Sequence, residues 1–275
     1  RRIVPTPWSS INNLIQGGLG NGDLGLIFGN PGGGKSWTLV ALGGYAVKMG
    51  YNVLHYTLEL SESYTGRRYD AFFSQIPVDN LDKHKKEIEA LTPDLPGELI
   101  IREFPTGKTT TNALESHIKK VQDLGIKPDL IIIDYIDLLA TKKRNVDRKG
   151  EIDIPIWSVS QVNRAGAKDN IIEGDKAAGS YDKLMITDFS MSLSRKKEDK
   201  VNGTGRLHIM KNRYGMDGFT FKANVNTSTG NIEVGDEYDG DNEDIPSPNN
   251  NNNGYNNFDS LDKKLLQTKF FELNT

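Results

Sequence analysis

Residues 28–36, FGNPGGGKS, constrain this chain more than any other stretch. The apolar run LGLIFG (24–29) enters them, and WTLVALGGYAVKMG, from Trp37 to Gly50, leaves them with apolar residues at helical spacing. In a strand–loop–helix of this kind the glycines let successive backbone N–H groups curl around phosphate oxygens with no Cβ in the way, and the helix N-terminus adds positive potential. Gly29, Asn30, Pro31, Gly32, Gly33, Gly34, Lys35 and Ser36 spell GxxxxGK[ST], a triphosphate-binding loop. Lys35 is expected to bridge the β and γ phosphates and the Ser36 hydroxyl to ligate magnesium, so the expected cofactors are ATP, or another NTP, and Mg2+.

The rest of the chain repeats the strand–helix alternation. NVLHYTLEL (52–60) reads as a second strand, and the segment after it as a helix from an N-cap at Ser61 to about Ile76. A polar helical stretch near 80–92 precedes the strand ELIIREF, the helix TTTNALESHIKKVQDLG and the strand DLIIIDYIDLL from Asp129. Continuous apolar runs of this kind indicate strands buried on both faces of a parallel sheet. IPIWSVSQ (154–161) is a further buried strand, and DFSMSLSRK, GRLHIMKNR and GFTFKANVN read as later antiparallel ones. The class is α/β. Only about fourteen mostly polar residues join the Asp129 strand to that at Ile154, short for a parallel crossover.

Several residues close strands where phosphates would lie. Asp134 ends LIIID and is positioned to hold magnesium. Glu59 ends the second strand, where a carboxylate can activate an attacking water. Gln161 ends IPIWSVSQ and can sense a γ-phosphate through an uncharged side chain. Asp137 reads as an ordinary loop or cap carboxylate, and Lys211 with Arg213, taken alone, as an exposed basic pair.

Taken together, GNPGGGKS, YTLELSESYTGRRYDAF, IIIDYIDLL, IPIWSVSQVNR and MKNRYG resemble, in their order, the replicative hexameric DNA helicases of the bacterial DnaB type and their phage counterparts, over about residues 8–225. The short motor leans toward the phage branch. The resemblance implies a RecA-like P-loop NTPase in a hexameric ring that translocates on single-stranded DNA. By it, Glu59 is the catalytic glutamate, Arg68 the arginine that follows it beside the nucleotide, Asp134 the magnesium aspartate and Gln161 the sensor glutamine. Lys211 and Arg213 match a KxR pair that acts as an arginine finger in the neighbouring subunit's site. DNA contact falls to two loops: Lys142, Lys143 and Arg144 in KKRNVDRKG, which otherwise reads as a solvated charged loop, and Lys176, Gly179 and Ser180 in IEGDKAAGSYDK, where Ala177 replaces the family's glutamate. A RecA-like recombinase or filament ATPase, and a nucleotide-switched loader or scaffold, stay open as alternatives.

Composition bounds the surroundings of this motor. With no cysteine there is neither a disulfide framework nor a thiolate metal site, and four histidines leave little for other metal chemistry. No apolar run nears the ~20 residues that span a bilayer, and RRIVPTPWSS lacks a signal peptide's apolar stretch, so a cytoplasmic location away from membranes is expected. Residues 233–275 hold ten Asp or Glu against three Lys, net -7, which leaves residues 1–232 at +4 and mildly suited to a nucleic-acid backbone. The expected domains are a linker remnant at 1–10, the motor at 11–234, an acidic Asn-rich disordered linker at 235–260, and a helix at 261–275. That helix, with Leu265, Leu266, Phe270 and Phe271, either caps the domain or docks a partner such as single-strand-binding protein or polymerase. Primase and a helicase loader are further partners implied by the resemblance. The family's N-terminal collar has no counterpart here and the chain begins without Met, so it reads as a motor fragment or the ordered part of a longer protein.

Overall fold

A computed structural model describes residues 2–138, 152–162, 171–172 and 181–238. The first strand, β1 (Ile3–Val4), pairs antiparallel with β2 (Leu19–Gly20), and α1 (Ser9–Leu14) lies between them in sequence. Residues expected as a linker remnant are thus packed into this body: Trp8 is buried, and its indole N–H donates to the Ile232 carbonyl at 2.8 Å. Next come β3 (Leu24–Gly29), α2 (Lys35–Lys48) and β4 (Val53–Thr57), then α3 (Glu62–Ser74). Ser61 caps α3 as expected, its hydroxyl accepting from the Tyr64 N–H at 3.2 Å. The polar stretch near 80–92 divides into a 3-10 segment, Val78–His84, and the short α4 (Lys85–Leu91), with Leu81 the buried anchor of the first and none in the second.

The chain continues through β5 (Leu99–Glu103), α5 (Thr111–Asp123), β6 (Leu130–Asp134), β7 (Ile156–Gln161), α6 (Tyr181–Ile186) and β8 (Phe189–Ser194). It closes with α7 (Lys197–Asn202), β9 (Thr204–Asn212), β10 (Thr220–Val225) and β11 (Ile232–Glu237). Among the described residues, nine strands form one sheet in the order β11-β10-β9-β8-β3-β7-β6-β4-β5. From β5 to β8 every described pairing is parallel; β9, β10 and β11 are antiparallel. DFSMSLSRK, expected to be antiparallel, makes both kinds of pairing: β8 lies antiparallel to β9 and parallel to β3, with Gly25 opposite Phe189 and Gly29 opposite Leu193. Residues 162–188 are a connection long enough for a crossover back to the root of the sheet, and β8, with both neighbours present, is buried at all six positions.

Alternation along the strands divides the core between the two faces of the sheet. Ile27, Ile132, Trp157 and Phe189 pack with Leu39, Leu42 and Val47 of α2 and Tyr69 and Phe72 of α3. Leu54, Tyr56, Ile131 and Ile133 meet Leu114, Ile118 and Val121, the apolar stripe of α5. A smaller cluster, Leu26, Phe28, Val162, Ile172 and Leu184, underlies α6. The Gly43–Gly44 pair inside α2 has a packing reason: a Cβ at Gly43 would sit 2.3 Å from the Tyr69 hydroxyl, and one at Gly44 2.3 Å from the Phe72 ring. No helix among the described residues is long and apolar enough to cross a membrane.

His55, in the middle of β4, is fully enclosed, and its Nδ1 lies 2.8 Å from the Tyr69 hydroxyl. Burial, helped by the charge of Arg68, pushes its pKa from 6.5 down to about 3. Below pH 6.5 the unfolded chain therefore takes up a proton that the folded chain refuses until about pH 3. Stability from this residue is complete above pH 6.5 and falls below it by about 1.4 kcal/mol per pH unit. Urea denaturation between pH 7 and 4 should show His55→Gln losing less stability with falling pH than the parent, by that slope; parallel curves would exclude His55 as the source.

Candidate nucleotide site

The central strand β3 delivers Gly29 to the carboxyl edge of the sheet, where open α/β folds bind their ligands. The chain turns through Asn30, Pro31, Gly32 and Gly33 to Gly34, which precedes α2 with φ of +98°. That conformation suits only glycine, and at Gly33 a Cβ would stand 2.9 Å from the Asn30 carbonyl oxygen. The Lys35 ammonium folds back over the loop and donates to the carbonyls of Gly29 and Asn30 at 3.0 and 2.9 Å. Its burial lowers its pKa, while Asp134 and Glu59 oppose that shift.

Asp134 closes β6 beside this loop. It stands opposite Thr57 of β4, and its carbonyl accepts the Leu58 N–H at 2.8 Å, which ties the ends of the two strands together. The residue is 3% exposed, and burial pushes the pKa of its carboxyl up against the opposing hydrogen bond from Ser36 and the charge of Arg68. Among the described residues Oδ1 has no hydrogen-bond partner. A buried carboxylate oxygen without a donor, next to a serine hydroxyl and a phosphate loop, fits a hard cation that draws its remaining ligands from phosphate and water. No cluster of three or more His, Cys, Asp or Glu among the described residues offers a separate metal cage.

Glu59 stands at the same edge. The Thr57 hydroxyl donates to the Leu60 carbonyl at 2.8 Å and accepts the Leu60 N–H at 3.0 Å, and this turn leaves Glu59 exposed just past the end of β4. Its charge reaches Lys35, Asp134 and Tyr135 and shifts the proton affinity of each. Gln161 is exposed at the end of β7, directly opposite Gly29. Arg68, from α3, is held between two rings, its guanidinium carbon 5.1 Å from the Trp37 centroid and 5.2 Å from that of Tyr64. Cation–π contacts of this kind aim a guanidinium while leaving its N–H groups available to an anion.

Lys211 and Arg213 are not brought to this edge. Across the β8–β9 pairing Lys211 lies opposite Ser190 and Asn212 opposite Phe189, which is level with Gly25 rather than Gly29. Asn212 is therefore about 13 Å along the strands and about 10 Å across them from the root of the phosphate loop, and Arg213 lies beyond it. The Lys211 ammonium donates to the carbonyls of Leu184 and Met185. Arg213 donates to Met185 O at 3.1 Å and contacts Asp188 at 3.5 Å.

Sequence reasoning passed over two features. Lys200 of α7 reaches the crown of the loop, its Nζ 3.5 Å from where a Gly32 Cβ would stand, and its charge adds to the depression of the Lys35 pKa; the charge run RKKEDK was the only hint. Asp137, read as an ordinary loop carboxylate, accepts from the Ser160 hydroxyl at 2.8 Å and pairs with Lys183. The residues expected at DNA, Lys142, Lys143, Arg144, Lys176, Gly179 and Ser180, lie outside the described residues. The linker expected over 235–260 begins inside β11, which runs to Glu237, and its remainder beyond Tyr238, with the expected helix, lies outside the described residues.

Residues 4–171 match the family described as DnaB-like helicase C terminal domain. A DnaB-like replicative helicase of Enterobacteria phage T4 is 22% identical over 240 residues, 78% of this chain, and the chain spans about half the length of that relative. Among solved structures, one described as an ATPase domain superposes with a TM-score of 0.70 at 16% identity, covering 84% of this chain and 90% of that one. A DnaB-like replicative helicase solved to show its interactions with primase gives 0.70 at 15% identity, covering 84% and 63%. Both show the RecA-like arrangement of this sheet.

Replacing Gly34 with alanine tests the loop. At φ of +98° a Cβ costs about 1–2 kcal/mol, so Gly34→Ala should lower the thermal midpoint by about 2–4 °C for each kcal/mol and weaken binding of a fluorescent ATP analogue. An unchanged midpoint would mean that this backbone conformation is not the folded one.

Proposed function

Because this chain belongs to the DnaB-like helicase C-terminal domain family, we propose that it is the motor of a ring-forming replicative helicase that hydrolyses ATP or another NTP between copies and translocates on single-stranded DNA. The observation that supports this most is the register that puts Lys211 and Arg213 at the far end of their own sheet from their own phosphate loop. A cationic pair so placed can serve a γ-phosphate only if that phosphate belongs to another copy. A head-to-tail contact of this kind, repeated, closes into a ring when its rotation allows, and the family expectation is a hexamer.

The chemistry follows from the groups at the carboxyl edge. Backbone N–H groups of Gly32, Gly34, Lys35 and Ser36 and the Lys35 ammonium hold the β and γ phosphates. Ser36 and Asp134 would hold Mg2+, and the chemistry it would supply there is neutralisation of phosphate charge. Glu59 orients the attacking water and accepts its proton; Gln161 contacts the γ-phosphate and registers its departure; Arg68, held by Trp37 and Tyr64, adds positive charge near Asp134. A neighbouring copy's Lys211 and Arg213 stabilise charge on the transferred phosphoryl group, a contribution of about 10³–10⁵ in rate in related chemistry. Lys142, Lys143, Arg144, Lys176, Gly179 and Ser180 hold the DNA backbone in turn as successive interfaces fire, and the complementary strand is excluded sterically from the channel. The +4 charge of residues 1–232 supports a nucleic-acid partner. Primase, a helicase loader, single-strand-binding protein and polymerase are the partners expected of the surrounding replication machinery, the last two through the acidic C-terminal segment.

Mixing inactive variants tests the shared site. Glu59→Gln and Arg213→Ala should each hydrolyse ATP about 10³-fold or more below the parent, and their mixture should recover a measurable fraction, because some interfaces then pair an intact Glu59 with an intact Arg213. Mixed assemblies with no recovered turnover would contradict the shared site.

A further inference from the structure

Three consecutive residues of α6 join two parts of the molecule that the chemistry uses separately. The Lys183 ammonium donates to the Ser160 hydroxyl at 2.8 Å and pairs with the Asp137 carboxylate, which itself accepts from Ser160. Asp137 lies three residues after Asp134, and Ser160 immediately precedes Gln161, so this grip is on the two segments that leave the nucleotide edge. The carbonyls of the next two residues, Leu184 and Met185, accept from Lys211, and Met185 also accepts from Arg213. The Thr187 hydroxyl also donates to the Leu184 carbonyl, at 3.0 Å; cations here add to the bonding of carbonyls at a helix end and suit its negative pole.

A six-residue helix has no stability of its own. Leu184 supplies its apolar anchor among Leu26, Phe28, Val162 and Ile172, while Met185 is exposed. Among the described residues, α6 is positioned by Leu184 together with the polar grip at each end. Asp188 fixes the far end to the sheet, since its carboxylate accepts the Leu24 N–H at 3.0 Å and contacts Arg213.

We propose that Lys183 is a positioning residue for the Lys211–Arg213 pair: through α6 it ties the pair offered to the next copy to Asp137 and Ser160 beside the chain's own nucleotide. Displacement of those two residues when the γ-phosphate leaves is then carried to the neighbour's site. The proposal rests on the shared-site reading above and names the residues by which one site informs the next.

The test places Lys183→Met on one or the other chain of the complementing mixture. Carried by Glu59→Gln chains, which supply the intact Arg213, it should lower kcat about 10- to 100-fold below the reference mixture, as small misplacements of a catalytic group do, with KM for ATP unchanged. Carried by Arg213→Ala chains, which supply the intact nucleotide edge, it should change kcat by no more than about twofold, far short of the loss that a misplaced catalytic group causes. Lys183→Arg on Glu59→Gln chains should restore turnover. Equal losses in both placements, a loss confined to Arg213→Ala chains, or no loss in either would overturn the proposal. If Lys183→Met does not assemble, Lys183→Gln carries the same comparison with the same criteria. A reference mixture without turnover would refute the shared site itself, and this link with it.

Discussion

The pairing of β3 with β7 on one side and β8 on the other is the constraint on which the rest of the molecule depends. A parallel strand covered on both faces has a single workable register, and here it sets Gly29 level with both Gln161 and Leu193. From that level the phosphate loop starts, and β4 and β6 bring Glu59 and Asp134 to the same edge. The same register runs through β8 into β9 and leaves Lys211 and Arg213 at the other end. The sheet thus brings Gly29, Asp134 and Gln161, with Glu59 just past β4, to one edge and leaves Lys211 and Arg213 at the other, which is the separation that the proposed shared site rests on.

The withheld charge matters because of what is already buried at that edge. Burial works against ionisation of both Lys35 and Asp134, and each partly offsets the cost for the other. Asp134 retains a buried oxygen without a donor among the described residues. Sites that hold charges and polar groups in fixed positions before the ligand arrives have little left to reorganise when charge moves, and that is the basis of electrostatic catalysis. Arg68, held between Trp37 and Tyr64, and the exposed Lys200 over Gly32 extend the pattern: positive groups around the space where phosphates would lie.

Much of this was legible in the sequence because it is local. GxxxxGK[ST] carries its own strand and helix, LIIID reads as a buried strand with a carboxylate at its end, and Ser61 followed by an apolar stripe marks the start of α3. What was not legible depends on pairings between distant segments. The direction of β8 is set by its parallel pairing with β3, a strand about 160 residues earlier, and its six-residue pattern fits either orientation. Asp137, Ser160 and Lys183 are 23 residues apart at each step, and nothing in DLL, SVSQ or YDKL announces that they meet. Division of the polar stretch near 80–92 into a 3-10 segment and α4 turns on Leu81 alone being buried there. The motif order indicated a cationic pair acting across subunits; the register supplies the distance that makes such an arrangement necessary if the pair is to reach a γ-phosphate at all.

The most direct measurement of the central claim is turnover per chain against protein concentration, with Mg2+ and ATP saturating and with or without single-stranded DNA. A site shared between copies predicts turnover per chain that is near zero when the protein is dilute, rises with concentration as copies associate, and levels off once rings are complete, with DNA increasing the plateau. Turnover per chain that stays constant down to concentrations at which sedimentation shows only monomers would contradict it, because the chain would then be completing its own site without the distant Lys211 and Arg213.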